Sequence, residues 1–364
     1  MKKVITTVGT SFISNYEEDT KRELDGKDYL NSEKSKSREK SDIDNIGTLQ
    51  NWAEKRGRTD ISAEVSSLYK IQEEFQDDLT VYLISSDTIA SDICARTIRN
   101  YFIKDKTLTM IYNDNLYNIA HLQVTDSRSF INEGLPNLIN CINGIVDNYF
   151  GNVIFNITGG YKGVIPYLTI LALINQCEIK YIFEDSNELI TIPKLPVTID
   201  ESIFEKYYTE INLLETGIDN YQVEKNNNYI IFYELENKGL VERSDKLAYL
   251  SPIGKIFYDN YKSKYLSYYC PDDVYREISI QPEIKRIMKD KFFTDNRERK
   301  TERKGEHLVY DDGDNNNRIY YFQHNNEIYI YKTFQNEELA RAYIDNSINK
   351  SEILEKSKYR RIER

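Results

Sequence analysis

The chain has 364 residues and a net charge of −11. That length holds two or three domains with ordinary cores, so stability requires neither disulfides nor a structural metal. The acidic balance excludes a broad nucleic-acid coat but not a local basic patch, and four scattered cysteines with three histidines give no zinc-ligand spacing.

Thr6, Thr7, Gly9 and Thr10 break the apolar start, so residues 3–8 read as a buried strand rather than a signal peptide. Residues 33–42 are charge-rich and apolar-poor, and are expected as a solvated loop. Helical spacing covers 63–75. An apolar strand over 80–84 leads into Ser85-Ser86-Asp87-Thr88, a cap for a helix over 89–102. A strand over 122–124, a helix over 134–150 and a buried strand over 153–155 follow. Next comes Asn156-Ile157-Thr158-Gly159-Gly160-Tyr161-Lys162, then an apolar helix to about Asn175. Segments 180–183 and 189–192 form a hairpin around 185–188. Repeated βα units predict an α/β, doubly wound, mainly parallel sheet that binds ligands at the carboxyl ends of its strands.

Pro193 and Pro196 mark a boundary. Residues 205–262 read as helices, one of them over 229–238, then a hairpin including 247–250 and a helix from Ser251. This is a winged-helix pattern. Acidic residues outnumber basic ones there, the reverse of what DNA phosphates attract. A connector or protein-docking role is expected, with DNA disfavoured. Residues 273–289 are helical and increasingly basic, and 297–304 are dense in charge. Strands over 306–310, 318–323 and 327–331 are separated by the turns 311–317 and Asn325-Asn326. A helix from Asn336 to about Asn346 precedes a polar, basic tail. No run reaches the ~20 apolar residues of a membrane helix. With thiols so scattered, a reducing, cytoplasmic location is expected.

Two glycine loops follow strands. Gly9-Thr10-Ser11 offers hydroxyls, and Thr158–Lys162 offers backbone N–H groups at a helix start plus a cation, the chemistry of a phosphate site. An ordinary βα turn with a solvent lysine fits as well. Neither the dinucleotide GxGxxG nor the Walker spacing is present.

The stretches ITTVGTSFISN, ISAEVSSL, ISSDTIASDICA, LQVTDSRSFINEGLPNLI, IFNITGGYKGVIPYLTILA and YIFEDSNELITIPKLP resemble the CARF domain of type III CRISPR accessory proteins. The resemblance implies a Rossmann-like sensor over 1–199. Such domains pair as a homodimer and bind a cyclic oligoadenylate, usually cyclic tetra-adenylate, across the two-fold axis. Matching the family's ligand-binding loops are Thr10, Ser11, Asn15, Asn156, Thr158, Gly159, Gly160 and Lys162. Some CARF domains also cleave their ligand without metal, by 2′-OH attack on the adjacent phosphate. Ser11 and Lys162 suit that step and suit simple binding equally.

The commonest output domain of such sensors, a HEPN ribonuclease, needs an Arg and a His four to six residues apart on a long helix. Arg303 and His307 have three residues between them. Asp311, Asp312 and Asp314 cluster in an Asn/Gly-rich stretch, where acidic residues are normally turn-formers. Helix, basic loop, three strands and short helix, particularly RERKTERKGEHLVY with RIYYFQHNNEIYIYKTF, instead resemble a RelE-type mRNA interferase. The expected organisation is therefore a CARF domain (1–199), a winged helix-turn-helix connector (200–268) and a small α+β RelE-like domain (269–364). The second resemblance implies metal-independent cleavage of mRNA in the ribosomal A site, with no cofactor besides the activator. Its basic patch would draw on Arg297, Arg299, Lys300, Arg303, His307, Arg318 and Lys332, with Tyr343 stacking on a base. Nine basic against four acidic residues lie between Lys285 and Lys304, which suits such a patch. Two other organisations fit the sequence: a CARF–winged-helix transcription regulator, and a CARF ribonuclease that needs no ribosome.

Overall fold

A computed structural model describes the chain except residues 25, 76–77, 124–125, 184–187, 295, 312 and 314–315. It is mixed α/β and divides into two compact units: Met1–Asp200 with Leu213–Phe257, and Glu201–Asn212 with Tyr258–Arg364. Segment 200–268, read from sequence as one domain, contributes to both.

The first unit is built on β1 (Lys2–Val8), whose β-branched residues suit a strand buried on both faces. Val4 and Val8 enter one apolar cluster and Ile5 the other. The further strands are β2 (Leu79–Ser86), β3 (Thr109–Ile111), β4 (Asn118–Ile119), β5 (Val153–Asn156), β6 (Glu178–Ile182) and β7 (Leu189–Ile192). Their order is β3-β2-β1-β5-β6-β7, with β4 also pairing β2. Pairing is parallel up to β6 and antiparallel at β7. The chain moves outward from β1 first through β2 and later through β5, so β1 and β5 flank the point where the strand order reverses. In such sheets this is the place for a ligand crevice.

Segment 33–42 is largely exposed, as expected, but it is not a loop throughout. Lys34–Lys36 is a short 3-10 turn and Glu39 begins the helix Glu39–Ala53. Ile46, Leu49, Trp52 and Ala53 bury that helix in the core. Two of its charges are tied to the interior, while Glu33, Lys36, Arg38, Glu39 and Lys40 are exposed. Lys34 meets the fully buried Asp92, and Asp42, also buried, accepts from Ser37 Oγ and from Tyr29 OH at 2.6 Å. The strand expected over 122–124 lies at Asn118–Ile119 instead, and Leu122 is buried outside any strand. Val124 is outside the described residues, as is most of the 185–188 turn. The helix expected over 134–150 is Leu135–Val146, ended by Asp147 in the left-handed region.

After the first unit's sheet come the helix Tyr229–Asn237 and the hairpin of β8 (Val241–Ser244) and β9 (Leu247–Leu250), as expected. The second unit adds β10 (Tyr265–Pro271), β11 (Thr301–Lys304), β12 (His307–Tyr310), β13 (Arg318–His324), β14 (Glu327–Phe334) and β15 (Ser357–Glu363). They order as β11-β12-β13-β14-β10-β15, with β10 parallel to β14 and the other neighbours antiparallel. The three expected strands are thus the centre of a larger sheet. Pro282 splits the expected 273–289 helix into Asp272–Ser279 and Pro282–Ile287. The tail is ordered: Lys350–Lys356 is helical and β15 pairs along β10. Tyr359 anchors it by stacking on Tyr208 at 3.9 Å. Among the described residues, no helix is long and apolar enough to cross a membrane.

Asp92 also accepts from Tyr112 OH at 2.6 Å and lies 3.7 Å from Arg96. Lys34→Met removes one partner of a buried carboxylate and should cost roughly 2–3 kcal/mol. The exposed Lys40→Met should change stability by less than about 0.5 kcal/mol. Urea unfolding of the two variants checks the difference.

Candidate functional site

A cleft of about 930 Å³ opens at the carboxyl ends of β1 and β5. Its lining includes Gly9, Thr10, Ser11 and Asn15 after β1, and Thr158, Gly159, Gly160 and Lys162 after β5. These are seven of the eight residues picked out by the sequence, together with Gly9. The eighth, Asn156, is fully buried and works from behind. Its Nδ2 donates to Ser67 Oγ at 2.9 Å, and its Oδ1 accepts from Thr158 Oγ1 at 2.7 Å. Thr158 Oγ1 in turn accepts from Ile182 N at 3.1 Å. The Thr158 hydroxyl is thus committed to holding the loop.

The two loops meet backbone to backbone. A Cβ on Gly9 would stand 2.9 Å from Gly160 N, and Thr7 Oγ1 donates to Gly159 O at 2.6 Å. Beneath them lies Glu64, from the first turn of the helix Ala63–Phe75, with 1% exposure. Its Oε1 accepts from Gly9 N at 2.8 Å and its Oε2 from Ser11 Oγ at 2.5 Å. A Cβ on Gly159 would collide with this carboxylate, which is why glycine stands there. Lys162 opens a 3-10 turn that runs into the helix Ile165–Ile174, so a helix start and an ammonium group share one side of the cleft. Tyr181, Ile182 and Phe183 add an apolar and aromatic wall.

Sequence reasoning missed Glu64, Thr59, Ser66, Tyr181 and Phe183 as cleft residues. For Glu64 the only signal was an acidic residue near a helix start, and that is the ordinary place for one. The period-two spacing of Tyr181 and Phe183 at the end of a strand was legible but common.

In the second unit the expected basic residues do not converge. Arg318 has 8% side-chain exposure and pairs with Asp311 at 2.8 Å, with Glu337 at 3.9 Å. Lys332 pairs with Glu277 at 2.8 Å. Arg318 meets the helix Glu337–Tyr343, whereas Lys332 meets Asp272–Ser279; these helices pack over opposite sheet faces. His307 is fully buried. Its Nε2 faces Asn346 O at 2.9 Å, and a carbonyl only accepts, so Nε2 carries the proton. Nδ1 faces Tyr331 OH at 2.8 Å. Placed so, His307 ties β12 to the end of the chain. Tyr343 packs against His307, Tyr320 and Phe334, each at 5.4 Å. Arg297 lies 5.7 Å from the Phe292 ring. Arg299, Lys300 and Arg303 are exposed on β11 and the turn before it. Of the acidic turn, Asp312 and Asp314 are outside the described residues. Among those described, no group of His, Cys, Asp and Glu is arranged to hold a metal.

Gly159→Ala should cost about 1–3 kcal/mol by displacing Glu64. Gly144→Ala, on an open helix face, should instead gain up to about 1 kcal/mol. Thermal or urea unfolding of both variants checks the contrast.

Comparison with curated proteins finds no match. A family model described as CRISPR-associated protein (Cas_APE2256) matches residues 59–195, a little over a third of the chain. The match takes in Glu64, the Thr158–Lys162 loop and the aromatic wall, and begins after the Gly9–Asn15 side of the cleft. The segment that builds most of this cleft is therefore similar to that CRISPR-associated family.

Proposed function

We propose that the chain is a cyclic-oligoadenylate-controlled endoribonuclease of type III CRISPR defence. The cleft binds cyclic tetra-adenylate, and the observation that carries this reading is the cleft's position and chemistry. It sits where the strand order reverses, with backbone N–H groups and Lys162 for phosphate, hydroxyls for ribose and Tyr181 and Phe183 for base stacking. The match of 59–195 to a CRISPR-associated family supports the choice of ligand class. As a CARF domain it pairs with a second copy, so that a symmetric ring meets a symmetric site. Ser11 and Lys162 both line the cleft and are the candidates for slow cleavage of the ring itself, with Lys162 as the cation for phosphate.

The second unit is the output, a RelE-like ribonuclease that cuts ribosome-bound mRNA without metal. Its order of helices, basic run, antiparallel strands and short helix supports this. Arg299, Lys300 and Arg303, exposed together, are the first RNA-contacting residues of this unit. Arg318 and Lys332 reach RNA only after leaving their carboxylate partners. Ligand binding shifts a two-state equilibrium toward the competent form. The helix Tyr229–Asn237 turns Tyr229, Ile230 and Tyr233 to solvent, and acidic residues outnumber basic ones over 205–262, the reverse of what DNA phosphates attract.

The test is cleavage of one mRNA, on programmed ribosomes and free in solution, with and without cyclic tetra-adenylate. Cleavage is expected only with both ribosomes and ligand. The double variant Arg299→Ala/Arg303→Ala should lower it by about 10²-fold. Cleavage of free RNA would return the chain to a ribosome-independent nuclease. Ligand binding without any cleavage would favour a transcription regulator.

A further inference from the structure

Glu64 presents a problem to a site that takes a ring of phosphodiesters, because it puts a carboxylate in the cleft beside the glycine loops. Its hydrogen bonds resolve the problem. Both oxygens are occupied, Oε1 by Gly9 N–H and Oε2 by the Ser11 hydroxyl proton. A serine hydroxyl has one proton and two lone pairs. With that proton committed to Glu64, Ser11 Oγ, which also lines the cleft, has only lone pairs to offer a ligand. It cannot donate to a phosphate oxygen. It accepts.

We infer that Glu64 is a specificity-determining residue that fixes Ser11 as an acceptor for a ribose 2′-hydroxyl, so that the cleft selects ribonucleotide rings. The inference rests on the nucleotide reading of the cleft. The donor it meets is the ribose hydroxyl because Ser11 lies two residues from the Gly9–Gly160 contact, beside the Thr158–Lys162 loop to which the nucleotide reading assigns the phosphates. In a 3′,5′-linked ring the 2′-hydroxyl is the donor nearest a phosphate. Gly159 is part of the same device, since any side chain there would push the carboxylate off Ser11.

Glu64→Gln separates this role from mere packing. The carboxamide keeps its oxygen for Gly9 N–H, but its NH₂ must donate to Ser11 Oγ, which turns the serine proton toward the cleft. Ser11 then donates. The probes are cyclic tetra-adenylate and its 2′-fluoro analogue, which has nearly the same shape but cannot donate. Titration calorimetry on the full chain should show the wild type preferring the ribose ring by roughly three- to tenfold for the lost hydrogen bond. In Glu64→Gln that ratio should fall to near one or invert. Ser11→Ala, which leaves Glu64 and Gly9 N in place, should also abolish the preference and covers the case in which Glu64→Gln does not fold. Equal wild-type affinity for both rings, or an unchanged ratio in either variant, overturns the inference and leaves the nucleotide reading standing. Failure of the wild type to bind either ring overturns both.

Discussion

The cleft exists because two loops touch through their backbones. Gly9 and Gly160 approach more closely than any side chain allows, and Glu64 sits beneath, bonded to one loop and seated against the Cα of Gly159 in the other. The direction of the Ser11 hydroxyl depends on this contact, and the placement of Lys162 follows from the loop it shares. The loops stand at the ends of β1 and β5 because the sheet grows outward from these two strands on either side. A buried, doubly covered sheet supplies rigidity to the cleft, and the glycines supply the close approach.

The second unit follows a different logic. Its sheet is covered on both faces, by Val274, Ile284 and Phe292 among others on one and by Ala340, Ile353 and Leu354 on the other. Cations that point from the strands toward these layers meet carboxylates, Asp311 and Glu337 for Arg318 and Glu277 for Lys332. Cations on the β11 edge and the turn before it stay in water. Charge that reads as one basic patch along the sequence is therefore divided in space between structural pairs and an exposed edge.

The main strands and helices of the first unit were legible because their signals are local. β-branched runs gave β1, β2 and β5, Thr88 capped the helix Ile89–Asp105 by accepting from Ser91 N, and the glycine loops marked the ends of β1 and β5. Seven of the eight ligand-loop residues read from the sequence line the cleft for the same reason. The ordered part of segment 33–42 was not legible because Lys34 finds its buried partner, Asp92, far along the sequence. β10 and β15 were missed because each is completed by the other, across nearly the whole unit. His307 reads from the sequence as part of a basic patch, yet Tyr331 and Asn346 satisfy it inside the core. Glu64 is the sharpest case. Its significance lies in which two loops it joins, and only the folded chain brings those loops together.

The most direct measurement is calorimetric titration of the full chain with cyclic tetra-adenylate at low and physiological salt. The expected result is saturable binding of one ring per two chains, weakened by salt as phosphate contacts are screened and lost in Lys162→Ala. Absence of heat and of any thermal stabilisation at both salt concentrations, with the folded protein intact, contradicts the assignment of the cleft as a nucleotide site.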